Sequence, residues 1–82
     1  MTEQIQLSLQ NLEQVIKQAG YQPGNIARLN LYTTSVPDFF AAYSTLMAWF
    51  QLHNLTAAST LVQVGALAFP ELTVEIEAIV VG

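Results

Sequence analysis

Cysteine is absent from the 82 residues, which removes disulfides, thiolate nucleophiles and thiolate metal sites together. Charge is nearly as scarce: charged side chains are 10% of the chain, against about 25% in an ordinary soluble domain. Lys17 and Arg28 stand alone against six acidic groups, for a formal net charge of −4. Nucleic acid is bound through a basic footprint, so this balance argues against it. One histidine, His53, and scattered carboxylates show no metal-ligand spacing, and neither a metal nor a cofactor is expected. Long apolar runs are missing too. None approaches the roughly 18–20 residues that span a bilayer, so no membrane partner is expected. No signal-peptide pattern opens the chain, which favours a cytoplasmic location. Without a secretion signal, the glycosylation triplet Asn54-Leu55-Thr56 is a chance match.

What the chain has in abundance is apolar surface, at 52% of its residues. Residues 1–82 make a single domain, near the size at which one core is marginal. So few charges cover a monomer poorly, and exposed apolar patches mark interfaces. A homo-oligomer is therefore expected.

Periodicity divides the chain into five segments. Ile5, Leu9, Leu12, Ile16 and Ala19 recur at spacings of 4, 3, 4 and 3, the stripe of an amphipathic helix, which Gly20 ends before Pro23-Gly24. "NIARLNLYTT" (25–34) alternates as a half-buried strand, Ala27, Leu29 and Leu31 against Arg28, Asn30 and Tyr32. Ser35 three residues before Asp38, with Pro37 between, opens a second helix. Its stripe is Phe39, Tyr43, Leu46 and Phe50, widened by Phe40 and Met47, and it stops around 52–54. Two strands follow, about 60–67 and 72–81, with Pro70 in the turn between them.

The resulting order, α-β-α-β-β, is an α+β sheet with both helices on one face. Parity gives that face Ala27, Leu29, Leu31, Val62, Val64, Ala66, Val74, Ile76 and Ala78. The other face receives Arg28, Asn30, Tyr32, Gln63, Glu75 and Glu77, and any chemistry or subunit contact belongs there. Glu75 and Glu77 sit inside a β-branched apolar run. Such carboxylates are commonly solvated, or one of them pairs with Arg28. The sharper reading makes one a general base in a recess. His53, at a helix end, reads as structural, and Ser59 and Thr60 have no sequence-level partner that would activate a hydroxyl.

"NLEQVIKQAGYQPGNIARLNLYTTSVPDFFAAYSTLMAWF", then "HNLTAASTLVQVGAL" and "VEIEAIVV", resembles the Rid family, also called YjgF or endoribonuclease L-PSP-like. The likeness covers nearly the whole chain. It implies a chorismate-mutase-like fold and a trimer with small-molecule clefts between subunits. It also implies hydrolysis of amino-acid-derived enamines and imines to keto acids and ammonia. In the family an arginine before the penultimate strand holds the substrate carboxylate, and a glutamate in the last strand positions water. By that resemblance Glu75 is the water-positioning carboxylate and Glu77 its structural neighbour.

Three departures qualify the likeness. Ungapped alignment from His53-Asn54 to Glu75 puts the arginine position at Thr60, and anchoring on Val62-Gln63-Val64 puts it at Ser59. Neither can form a bidentate guanidinium–carboxylate clamp. Tyr43 stands where deaminase-type members have an asparagine near the cleft. The family's N-terminal strands have no counterpart, so a fragment or a short form with an open sheet edge is expected. Ser59, Thr60, Tyr43 and Arg28 are the candidate ligand-binding residues.

Three readings remain open: a metabolite-binding oligomer without typical deaminase activity, an active hydrolase on a different substrate using Glu75, or a structural or regulatory oligomer. The oligomer expectation is common to all of them. Sedimentation at micromolar concentration is expected to give a mass above the 9.0 kDa of one chain; a monomeric mass would refute it.

Overall fold

The structure, a computed structural model, describes residues 1–82. Helix α1 spans Thr2–Gln18, and a single 3-10 turn at Pro23–Asn25 leads into strand β1, Ile26–Thr33. Helices α2 (Val36–Ala41) and α3 (Tyr43–Leu52) cross over to strand β2 (Ala58–Gln63), and strand β3 (Val74–Val80) follows. The sheet order is β2-β1-β3, with β1 parallel to β2 and antiparallel to β3. The expected α-β-α-β-β order holds, except that the second helix is broken in two. No helix is long and apolar enough to cross a membrane.

The helix stripe of α1 buries Ile5, Leu9 and Ile16 and half-buries Leu12, as its spacing requires. Gly20 terminates it with φ +89°, the left-handed conformation that costs glycine nothing. The N–H of Gly20 reaches Lys17 O and that of Tyr21 reaches Ile16 O, each at 3.0 Å, so the orphan carbonyls of the last turn are satisfied. Ser35 caps α2 as its position suggests, its Oγ accepting from Asp38 N at 3.3 Å.

The core is one cluster beneath the helices, in which Ile5, Leu9, Leu29, Leu31, Phe39, Leu46, Trp49 and Val74 meet. Each such burial contributes about 1.5–3 kcal/mol against chain entropy. Thr33 is fully buried among them, and its hydroxyl donates to Thr73 O at 2.8 Å, which offsets its desolvation.

The second helical region departs from its expected stripe. Phe39, Ala42, Leu46 and Trp49 form the buried line, whereas Tyr43 and Phe40 are exposed. The cause is the break at Ala42, whose N–H bonds Phe39 O in a tightened turn that no proline or glycine announces. In β1 a register shift between Ile26 and Arg28 turns Ile26 into the core and leaves Ala27 exposed, against the expected parity.

Strand β2 corrects the reading most. It ends at Gln63, and its pairing sets Ser59, Leu61 and Gln63 beside Leu29, Leu31 and Thr33 on the helix face. Thr60 and Val62 instead stand beside Asn30 and Tyr32 on the opposite face. The expected parity leaned on Val64 and Ala66, which lie past the strand's end.

His53 is structural here. It follows α3, packs on Trp49 with ring centroids 4.6 Å apart, and places Nε2 3.0 Å from Glu13 Oε1. That buried nitrogen makes no hydrogen bond, so the contact is one of proximity rather than alignment. Lys17 Nζ donates to the other oxygen of Glu13 at 2.8 Å; this bond holds the Glu13 carboxyl below its ordinary value, with burial opposing it.

Phe39→Ala is expected to cost about 3–5 kcal/mol and Ser35→Ala about 1 kcal/mol, read from urea unfolding midpoints. Equal costs for the two would contradict this assignment of the core.

Candidate functional site: the polar face of the sheet

Alternation along three paired strands gathers the candidate residues. Arg28, Asn30 and Tyr32 of β1 lie between Thr60 and Val62 of β2 and Glu75, Glu77 and Ile79 of β3. In register, Asn30 stands between Thr60 and Glu77, and Tyr32 between Val62 and Glu75.

A hydrogen-bonded chain crosses this face. Arg28 donates from a terminal guanidinium nitrogen to Thr60 Oγ1 and from Nε to Asn30 Oδ1 at 3.3 Å. Asn30 Nδ2 donates to Glu77 Oε1 at 2.9 Å, and the Tyr32 hydroxyl donates to the same oxygen at 2.9 Å. Glu77 is thus the hub, although the resemblance cast it as a neighbour. Neither Glu75 nor Glu77 forms an ion pair with Arg28; the Lys17–Glu13 pair is the one between a Lys or Arg and a carboxylate, and His53 also lies against Glu13.

Glu75 sits opposite Tyr32, exposed, and makes no side-chain hydrogen bond within the chain. It also lines a groove of about 350 Å³ with Ser8, Asn11, Leu12 and Val15 of α1. Thr60 and Arg28 join it on the polar face, but Ser59 does not, because its register turns it toward the helices. Tyr43 is held in the helix layer, with its ring 6.2 Å from Phe39 and 5.6 Å from Phe40. Within a single chain, then, Arg28 and Thr60 are in contact, Glu75 shares their sheet face at the other end of the paired strands, and Ser59 and Tyr43 lie apart. Asn30 and Tyr32 were visible on this face by parity, but nothing in the sequence announced that both would bond one glutamate.

The environment shifts one proton. The hydrogen bond to Glu77 raises the Tyr32 phenol above its ordinary 10.0, aided by desolvation and by the charges of Glu77 and Glu75. No cluster of three His, Cys, Asp or Glu side chains could hold a metal ion.

A family model described as endoribonuclease L-PSP matches residues 1–82. The chain belongs to the endoribonuclease L-PSP family, the Rid or YjgF family. A 2-iminobutanoate/2-iminopropanoate deaminase of Salmonella typhimurium is 32% identical over 99% of this chain and 63% of its own length. The YjgF gene product of E. coli superposes with a TM-score of 0.82 at 33% identity, over 90% of this chain and 58% of that one. E. coli TdcF, solved with bound serine, gives 0.84 at 31% identity, over 93% and 60%. The chain therefore spans about three fifths of the length of these relatives. The fold is the chorismate-mutase-like one of the YjgF family.

Spectrophotometric titration at 295 nm is expected to show Tyr32, isolated by difference against Tyr32→Phe, ionising above the ordinary tyrosine range. Glu77→Gln should bring it down. Because the folded value is raised, this contribution to stability is complete below pH 10.0 and is lost as pH climbs through the raised value. An unchanged titration in Glu77→Gln would break the assignment.

Proposed function

We propose that this protein is a Rid-family small-metabolite binder whose clefts lie between the subunits of a homo-oligomer, a trimer by family resemblance, and that it lacks typical imine deaminase activity. The observation that carries this reading is Thr60. Its register places it on the face with Glu75. Ungapped alignment from His53-Asn54 to Glu75 assigns it the family's arginine position, while anchoring on Val62-Gln63-Val64 assigns that position to Ser59, and neither residue is cationic. A hydroxyl cannot supply the two parallel charge-assisted bonds of a guanidinium. This hydroxyl is moreover already engaged, accepting from Arg28.

Glu75 is the carboxylate suited to position water in this proposal. It is exposed and free of side-chain partners, whereas Glu77 spends one oxygen on Asn30 and Tyr32. Arg28 is the one cation on this face and the candidate contact for an anionic group. Ser59 and Tyr43 could contribute only from another direction, such as a neighbouring subunit, and carry less of the proposal.

The test is ammonia release from a freshly generated 2-iminobutanoate, with thermal unfolding followed alongside in small carboxylic acids. Wild type is expected at the uncatalysed rate yet stabilised by an acid that binds. Thr60→Arg is expected to raise turnover by roughly tenfold to a hundredfold, the worth of a charge-assisted clamp. Adding Glu75→Gln should erase that gain, while Glu77→Gln should lower stability first. Wild-type turnover well above background, lost in Glu75→Gln, would instead establish an active hydrolase.

A further inference from the structure

Arg28 and Glu77 carry opposite charges on the same sheet face, yet they form no ion pair. Strand register makes that pair the simplest outcome. Arg28 stands opposite Ile79 and Asn30 opposite Glu77, so Arg28 and Glu77 are diagonal neighbours across β1 and β3. Diagonal neighbours lie about 7–8 Å apart, a gap that long side chains close. Something holds these two apart.

Asn30 lies between them. Its Oδ1 accepts from Arg28 Nε at 3.3 Å, and its Nδ2 donates to Glu77 Oε1 at 2.9 Å. A carboxamide offers an acceptor to a cation and a donor to an anion at once. Turning the amide over would set donor against donor and acceptor against acceptor, so the network fixes its orientation. Each charged partner is also anchored on its far side. A terminal nitrogen of Arg28 donates to Thr60 Oγ1, drawing the guanidinium toward β2. The Tyr32 hydroxyl donates to Glu77 Oε1 at 2.9 Å, so that oxygen has two donors without any cation. Arg28 keeps its other terminal nitrogen unbonded within the chain and its charge unpaired.

We propose that Asn30 is a positioning residue: it keeps Arg28 from closing on Glu77 and so holds the guanidinium open for a small carboxylate ligand. This rests on the reading of Arg28 as the contact for an anionic group. Thr60 completes the subsite, because its oxygen accepts from Arg28 while its own proton stays free to donate to the same anion. The ligand is small and singly charged. Arg28 is the one cation of the face, and Glu77 and Glu75 repel a second negative group placed further along the strands.

Arg28 is the only arginine, so its guanidinium NMR signals report this site alone. The probe is acetate, with acetamide as its uncharged counterpart, titrated into the isotope-labelled full chain at fixed ionic strength. Wild type is expected to show a saturable response to acetate at Arg28 and Thr60 and none to acetamide, and Arg28→Gln should lose it. Asn30→Val removes both bonds while keeping a β-branched strand residue. It should shift the Arg28 guanidinium signals as the side chain closes on Glu77. It should also weaken acetate binding by roughly threefold to fivefold, the strength of an exposed ion pair. Asn30→Ala should behave alike. Adding Glu77→Gln should reverse both changes, which a merely structural role for Asn30 would not allow. Guanidinium signals unmoved in both Asn30 variants overturn the proposal. Acetate affinity that is unchanged in them, or not restored by Glu77→Gln, overturns it too, and leaves the anion reading of Arg28 standing. No acetate response in wild type overturns that reading itself, and this proposal with it.

Discussion

Everything on the polar face depends on where Leu29 and Leu31 go. They are buried at the middle of the central strand, the one element paired on both sides. A slip of one residue would exchange the two faces of the strand, so the apolar burial specifies the register. That register in turn carries Arg28, Asn30 and Tyr32 to the opposite face and lines Thr60 and Glu77 up beside Asn30. The hydrogen-bonded chain from Thr60 to Tyr32 is therefore a by-product of core packing. Its members need no further force to assemble it.

Alternation was legible in β1 from Arg28 to Tyr32 and in β3 from Val74 to Glu77, where leucine, valine or isoleucine alternates with polar residues; it failed at Ala27, where the register shifts. The helical stripe of α1 was legible for the same reason, and its end was marked by Gly20. Strand β2 was misread because Ala58–Gln63 has almost no contrast: Ser59 faces the helices while Val62 faces away. A period-2 signal cannot appear where both faces of an edge strand are half solvated. The break at Ala42 also left no trace, since alanine is a good helix former and neither proline nor glycine marks the turn. Likewise, nothing local to His53 signals Glu13, its neighbour across two helices.

The two glutamates that alternate in β3 are chemically distinct for a geometric reason. Glu77 lies opposite Asn30, whose amide can bridge Arg28 on one side and a carboxylate on the other. Glu75 lies opposite Tyr32, whose hydroxyl reaches past it to Glu77. One carboxylate is thus fixed as an acceptor in a network, and the other is left free to meet whatever approaches the sheet. Resemblance named Glu75 first, and the hydrogen-bond pattern supplies a physical reason why it is the available one.

The ion pair at Glu13 has a consequence at longer range. Lys17 is committed to that carboxylate, so the remaining acidic side chains share Arg28 as the only other Lys or Arg of the chain. The field around the molecule is accordingly negative beyond contact distance, even where the local chemistry would welcome an anion. Any anion approaching Arg28 diffuses against that field, and dissolved salt, by shortening the Debye length, weakens the repulsion and speeds such an encounter.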